Sequence, residues 1–226
     1  MSRILVEACV DTLAGARAAE AGGANRIELC VSLEVGGLTP PAELITDCVT
    51  ALSLPVFVLV RPDARSFVMR EASLAALLEE VRRVAALGAA GVVAGALTAV
   101  GAVDAAATAA IVAAARPAPV TFHRAFDAVA DQPAALEALV DLGVARILTS
   151  GGAATAAEGA DRLRGLVDLA DGRIGILAGG SIRAHNVGAL IRRAGVTEIH
   201  SRTPADAAGV RALVQAAAAS ELPTER

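Results

Sequence analysis

The chain has 226 residues, 55% of them hydrophobic, and a formal net charge of −4. Only 2% are aromatic, with no Trp or Tyr, so a core must be built from Val, Leu, Ile and Ala. A chain this long buries roughly 70–75% of its unfolded surface without covalent staples, and its mild acidity argues against nucleic acid or an anionic membrane as the main partner.

Short β-branched runs alternate with longer stretches of helical period. The predicted strands are "ILVEACV" from Ile4, "RIELC" from Arg26, "VFVLVR" from Val56 and "GVVAGAL" from Gly91, then "VTFHR" from Val120, "RILTS" from Arg146, "IGILAGG" from Ile174 and "EIHS" from Glu198. Between them lie helices such as "LAALLEEVRRVAALG", where Leu74, Leu77, Leu78, Val81, Val84 and Ala85 share one face. Gly88, Gly143, Gly172 and Gly195 stand where C-terminal caps belong. The last helix is "DAAGVRALVQAAAAS", and the tail "ELPTER", with the frayed end taken from about residue 219, is expected to be loose. Strand–helix units require parallel pairing, because each helix returns the chain across the sheet. Eight of them, without a Pro-rich or low-complexity linker, predict one domain over 1–226: an α/β fold of the (β/α)8 TIM-barrel type, a closed parallel sheet inside outer helices. The alternative is an open doubly wound sheet.

A barrel works at the C-terminal ends of its strands, and the polar residues gather there. Glu7 and Cys9 end the first strand, Glu28 and Cys30 the second, Arg61 the third, and His123 and Arg124 the fifth. Thr149 and Ser150 end the sixth, and Glu198, His200 and Ser201 the eighth. Alternation places Glu7 with Cys9 and Glu28 with Cys30 on one face, at an expected matching depth on strands about 4.8 Å apart. Arg61, Arg124 and the two histidines are the cations expected to offset these carboxylates. Asp127 follows strand five, either at the rim or capping a short turn. Gly179 and Gly180 after strand seven, and Ser150, Gly151 and Gly152 after strand six, are candidate anion or phosphate loops; tight turns also need glycine.

All 20 basic residues are arginine, so imine chemistry and lysine phosphate loops are excluded. Cys9, Cys30 and Cys48 are an odd count, no secretory leader is expected ahead of them, and no apolar run reaches the roughly 20 residues that span a bilayer. Reduced thiols in the cytoplasm are expected, with Cys48 as core filler.

The segments "VEACVD", "AEAGGANRIELC", "VGGLTP", "VRP", "VTFHRAFD", "RILTSGG" and "EIHS", in this order, closely resemble the CutC family from about Ile4 to Ser201. The resemblance implies a TIM barrel, a cytosolic setting, a homo-oligomer (dimer or tetramer) and the name copper homeostasis protein, but supplies no reaction. It makes Cys9 and Cys30 the candidate Cu(I) ligands, and Glu7, Glu28, Arg61, His123, Arg124, Asp127 and His200 the candidate cavity. Three departures stand out: "DARSF" from Asp63 where the family reads Arg-Gly-Gly-Asp-Phe, Ala90 in place of an aspartate, and a shortened segment "SRTPADAAG" before the last helix.

Two functional readings follow. Neighbouring thiolates suit Cu(I). The mixture of carboxylates, histidines and arginines suits acid–base chemistry on a small anionic metabolite, a phosphorylated one among the options. Arg61 and Arg124 hold its charge, and His123 or Glu28 moves a proton in isomerase, lyase or hydrolase chemistry. A ligand sensor without turnover would carry the same rim.

Overall fold

The computed structural model describes residues 4–202 and 206–220. The expected loose tail from 221 onward and part of the shortened segment, 203–205, lie outside the described residues. The strands are β1 (Leu5–Val10), β2 (Arg26–Leu29), β3 (Val56–Leu59), β4 (Gly91–Ala94), β5 (Val120–Phe122), β6 (Arg146–Thr149), β7 (Gly175–Gly179) and β8 (Glu198–Ser201). The helices are α1 (Leu13–Ala21), α2 (Ala42–Ala51), α3 (Glu71–Ala86), α4 (Ala105–Ala115), α5 (Gln132–Asp141), α6 (Ala160–Ala170), α7 (Val187–Ala194) and α8 (Ala207–Ala218). Every strand pairs in parallel with its sequence neighbour, and β8 closes onto β1, which excludes the open sheet. No described helix is long and apolar enough to cross a membrane.

Local chemistry sets the element boundaries. Thr12, Asp104, Asp131 and Asp206 accept a backbone N–H at the starts of α1, α4, α5 and α8, satisfying donors that the helix leaves free. Gly88, Gly143, Gly172 and Gly195 all have positive φ at helix ends, as their spacing predicts. In α3 the buried side chains are Leu77, Val81 and Val84, the centre of the predicted stripe. Such stripes pack against the outward residues of the strands in two large apolar clusters, one under each half of the helical ring.

Inside the sheet the composition is different. The apolar interior holds a small cluster of Cys9, Cys30, Phe57, Leu59 and Val93, with Leu148 and Leu177 on the opposite wall. Barrel interiors are usually layers of branched apolar side chains; here Glu7, Arg26, Glu28 and Thr121 are buried there as well.

The register corrects one expectation. Cys9 lies level with Glu28, and Glu7 with Arg26, so the Glu/Cys pairs on β1 and β2 are not at matching depth. Strands tilted around a closed barrel are staggered against their neighbours, and here the stagger sets Cys30 one inward position above Cys9.

Candidate functional site in the barrel mouth

The site rests on an ionic floor. Arg26 Nε donates to Glu7 Oε2 at 2.5 Å, and its Nη2 to Glu198 Oε2 at 2.6 Å. Arg146 Nε reaches the same Glu198 oxygen at 3.0 Å. Both guanidiniums lie over the Phe57 ring, 5.3 and 5.1 Å from its centroid. Glu198 therefore opens β8 at the closed end of the barrel and does not end it at the rim. The cations that offset the buried carboxylates are Arg26, Arg146 and, as expected, His200, but not the rim arginines. Parity along "RIELC" carries the signal, since Arg26, Glu28 and Cys30 must share the inward face.

Above the floor stands His200. Its Nδ1 is 2.8 Å from Glu7 Oε1 and 3.8 Å from Glu28 Oε2. Burial works to raise the Glu7 carboxyl, but the hydrogen bond and charge of His200, together with Arg26, overcome it and hold Glu7 at about 2. Glu28 feels the charges of His200 and Arg26 but has no hydrogen bond from either. Burial, against the pull of His200 and reinforced by Glu7, lifts it to about 7, and its Oε2 is buried without a hydrogen-bond partner. Burial opposes a charge on His200, yet Glu28 and Glu7 together raise it above the ordinary histidine value.

A cavity of about 300 Å³ opens over these groups, lined among others by Cys9, Glu28, Cys30, His123, His200 and Ser201, with Arg61, Arg124, Arg183 and Arg202 around its mouth. Four guanidiniums at one mouth of a net-acidic chain make this a local well for anions.

His123 caps the 3-10 turn after β5 (Arg124–Ala128) by accepting the Ala125 N–H at its Nδ1, 3.3 Å away. The other ring nitrogen therefore carries the hydrogen in the neutral form. Burial drives its pKa down to about 4, and the ring packs against Phe67 with centroids 5.0 Å apart. His123 thus presents a neutral N–H donor to the cavity, not a base for neutral pH. Gly95 makes this placement possible: a Cβ there would stand 2.9 Å from the imidazole.

Two predicted rim residues turn out to be fastenings. Arg61 donates to the carbonyls of Val35, Gly37 and Ala64 at 3.0–3.1 Å and lies over Phe67, tying the loops after β2 and β3 together. Its atoms line the cavity, but its fork is largely used. Asp127 neither lines this cavity nor caps the turn. It accepts from Thr149 Oγ1 and from the amides of Ser150 and Gly152 and pairs with Arg124, clamping the loop after β6. Glu7 sits below the cavity as the support of His200. Of the expected anion loops, Gly180 lines the cavity; Gly179, Ser150 and Gly151 do not. Arg183, Ser181 and Arg202 join the lining without having been expected there, although Arg202 lies two residues beyond His200 on the same inward parity.

The CutC family model matches residues 4–205 of the chain, which include every one of these positions. The chain belongs to the CutC family. It is 44% identical over 201 residues to a family protein CutC of Rhizobium meliloti, covering 89% of this chain and 82% of that one. It is 42% identical over 196 residues to the copper homeostasis protein cutC homolog of Mus musculus, covering 87% and 72%. The crystal structure of a Streptococcus agalactiae CutC superposes with a TM-score of 0.83 at 31% identity, over 87% of this chain and 97% of that one.

This CutC barrel carries a thiol pair suited to a soft ion. Cys9 Sγ and Cys30 Sγ are 3.7 Å apart and buried, and a Glu28 oxygen lies within 4.8 Å of both. The Cys30 thiol, burial and the carboxylates push the Cys9 thiol up, so an incoming metal must displace a firmly held proton. Cys48 lies buried in α2, its thiol pushed to about 11 by burial, apart from both.

Proposed function

We propose that this CutC protein is an acid–base enzyme for a small anionic metabolite, with Glu28 as the group that takes and returns the proton. One observation carries the reading: Glu28, a buried carboxyl with one oxygen that no protein group satisfies, lines a cavity ringed by arginines. A buried acceptor left unmet costs stability, so this carboxyl favours taking a proton, which an acidic C–H of a molecule held by the arginines supplies. The C–H bond breaks with its proton passing to the Glu28 carboxylate. The electron pair stays on the substrate, where the arginines and the neutral His123 N–H stabilise it. Return of the proton at a neighbouring atom gives isomerisation, and loss of a leaving group gives elimination. Glu7 holds His200 beside Glu28, so that its charge favours the ionised base. The absence of lysine leaves no imine to share this work.

Deuterium exchange tests the reading with a panel of candidate substrates. The protein is incubated in D2O with small phosphorylated and carboxylated hydroxy- and keto-acids, and C–H loss is followed by proton NMR. A bound member of the panel should exchange, and Glu28→Gln should stop it. No exchange by any bound member, or equal exchange by the variant, overturns the proposal.

A second reading is favoured by the thiol pair: Cys9 and Cys30 hold Cu(I), with Glu28 as neighbour, in keeping with the name of the mouse relative. The bound ion would add a soft Lewis acid at the cavity floor. Chelator competition on Cys9→Ala/Cys30→Ala against wild type decides it, since unchanged Cu(I) affinity removes the cysteines as ligands.

A further inference from the structure

We infer that the anion is a phosphate monoester, and that its phosphoryl group is held on the β7–β8 side of the mouth by Arg183, Arg202 and the Gly180–Ser181 turn. This rests on the acid–base reading for the fate of the rest of the molecule, while the grip itself stands on separate observations.

The first is what the arginines already do. Arg61 is tied to three carbonyls, and Arg124 donates to Asp127 and to Ser150 Oγ, each at 2.8 Å. Arg183 uses only Nη1, toward the Ile182 carbonyl at 2.7 Å and Ser201 Oγ at 3.5 Å. Arg202 is exposed and makes no side-chain hydrogen bond among the described residues. A guanidinium has five N–H donors, so Arg202 keeps all five and Arg183 keeps its Nε and its whole Nη2, side by side after the adjacent strands β7 and β8.

The second observation is the turn between them. Gly180 has φ +119° and Ser181 φ +56°, a half of the backbone map that a serine occupies only under constraint. The carbonyls of this stretch point back into the protein. Gly180 O accepts from Ala156 N at 3.0 Å, Ser181 O from Asn186 Nδ2 at 3.0 Å, and Ile182 O from Ser201 Oγ at 2.7 Å. In a trans peptide the N–H points opposite to its C=O, so the amides of Ser181 and Ile182 face away from those partners. Among the described residues they meet no acceptor, and Gly180 and Ser181 line the cavity.

Two guanidinium forks and two amides outnumber what the two oxygens of a carboxylate accept. They match the three terminal oxygens and near-double charge of a phosphate ester. The size fits a small ester. About 300 Å³ is the volume of roughly ten waters, enough for a phosphoryl group and a short carbon chain. Glu28 on β2 lies two strands beyond β8, about 10 Å round the wall at about 4.8 Å per strand. A chain of a few carbons bridges that span.

Calorimetric titration at fixed ionic strength tests the grip without turnover, using orthophosphate, glycerol 3-phosphate and glycerate as probes. Wild type should bind glycerol 3-phosphate at least tenfold more tightly than glycerate, and more tightly than orthophosphate. Arg183→Gln/Arg202→Gln should lose at least tenfold toward both phosphates, and exposed Arg202→Gln alone should lose part of this without a folding defect. Arg17→Gln, on the outer face of α1, should change nothing. Glu28→Gln should still bind both phosphates, so a grip that survives while deuterium exchange fails retires the acid–base reading alone. The inference is overturned if glycerate matches glycerol 3-phosphate, if orthophosphate binds more tightly than the ester, or if the arginine variants bind as wild type does.

Discussion

Replacing Glu28 with glutamine keeps the shape of the side chain and removes a charge that the folded protein resists. In the unfolded chain this carboxyl titrates near 4.5; in the barrel, burial with Glu7 alongside lifts it to about 7. Below pH 4.5 both states hold the proton and the group is neutral in the balance. Between 4.5 and 7 the folded state keeps a proton that the unfolded state has released, so wild-type stability falls as pH rises. Above 7 the loss is complete. At about 1.4 kcal/mol for each tenfold change in proton affinity, it is on the order of 3 kcal/mol. Glutamine does not titrate, so Glu28→Gln should match wild type near pH 4.5 and gain up to about 3 kcal/mol on it at pH 8. Urea unfolding of both proteins at pH 4.5, 6 and 8 reads this directly from the midpoints, provided the slopes agree. A stability difference that is the same at all three pH values would refute the reasoning, because it would mean that Glu28 is not held protonated by its surroundings.

Other perturbations follow from the same contacts. Arg26→Leu strands Glu7 and Glu198 with one cation fewer at the barrel floor and should cost roughly 3–5 kcal/mol in chemical denaturation. Gly95→Ala sets a methyl 2.9 Å from His123; it should cost about 1–3 kcal/mol and weaken anion binding in the same calorimetric titration. Asp127→Asn breaks the pairing with Arg124 and weakens the acceptor for the Ser150 and Gly152 amides. It should cost about 1.5–3 kcal/mol and raise hydrogen exchange in the loop after β6.

The parts of this molecule legible in its sequence are those set by local rules. Eight β-branched runs, the apolar stripe of α3 and four helix-ending glycines each report on a few consecutive residues, and the barrel follows from counting them. The set of strands whose ends carry chemistry is legible too, because alternation along a strand is local. Register is not: the stagger that puts Cys9 beside Glu28 belongs to the closed sheet, and no single strand encodes it. For the same reason Glu198, in a short predicted strand, reads as a rim residue although it opens β8 on the floor. Asp127 reads as rim or cap because its true partners, Thr149, Ser150 and Gly152, arrive from the next strand and its loop. Arg26 and Arg146 are in plain view as first residues of their strands, but the choice between counter-ion and solvated strand start depends on Phe57 and Glu198 being on the same floor.

The two readings of the site make competing demands on one side chain. Glu28 lies within 4.8 Å of both thiols and, in a second grouping, of Glu7 and His200. As a base it must keep an oxygen open to the cavity; as a neighbour of a thiolate-bound ion it must turn that oxygen to the metal or face it across a short gap. Forming the thiolate pair would add negative charge beside a carboxylate already short of compensation, and would hold Glu28 protonated to still higher pH unless the metal cancelled that charge. On these two proposals taken together, copper loading and proton transfer are coupled through Glu28. Cu(I) bound at Cys9 and Cys30 should slow deuterium exchange in wild type, while Cys9→Ala/Cys30→Ala should exchange at the wild-type rate and be indifferent to copper. If the double variant loses exchange without copper present, the thiols belong to the catalytic apparatus, and the division of the cavity into a metal side and a proton side is wrong.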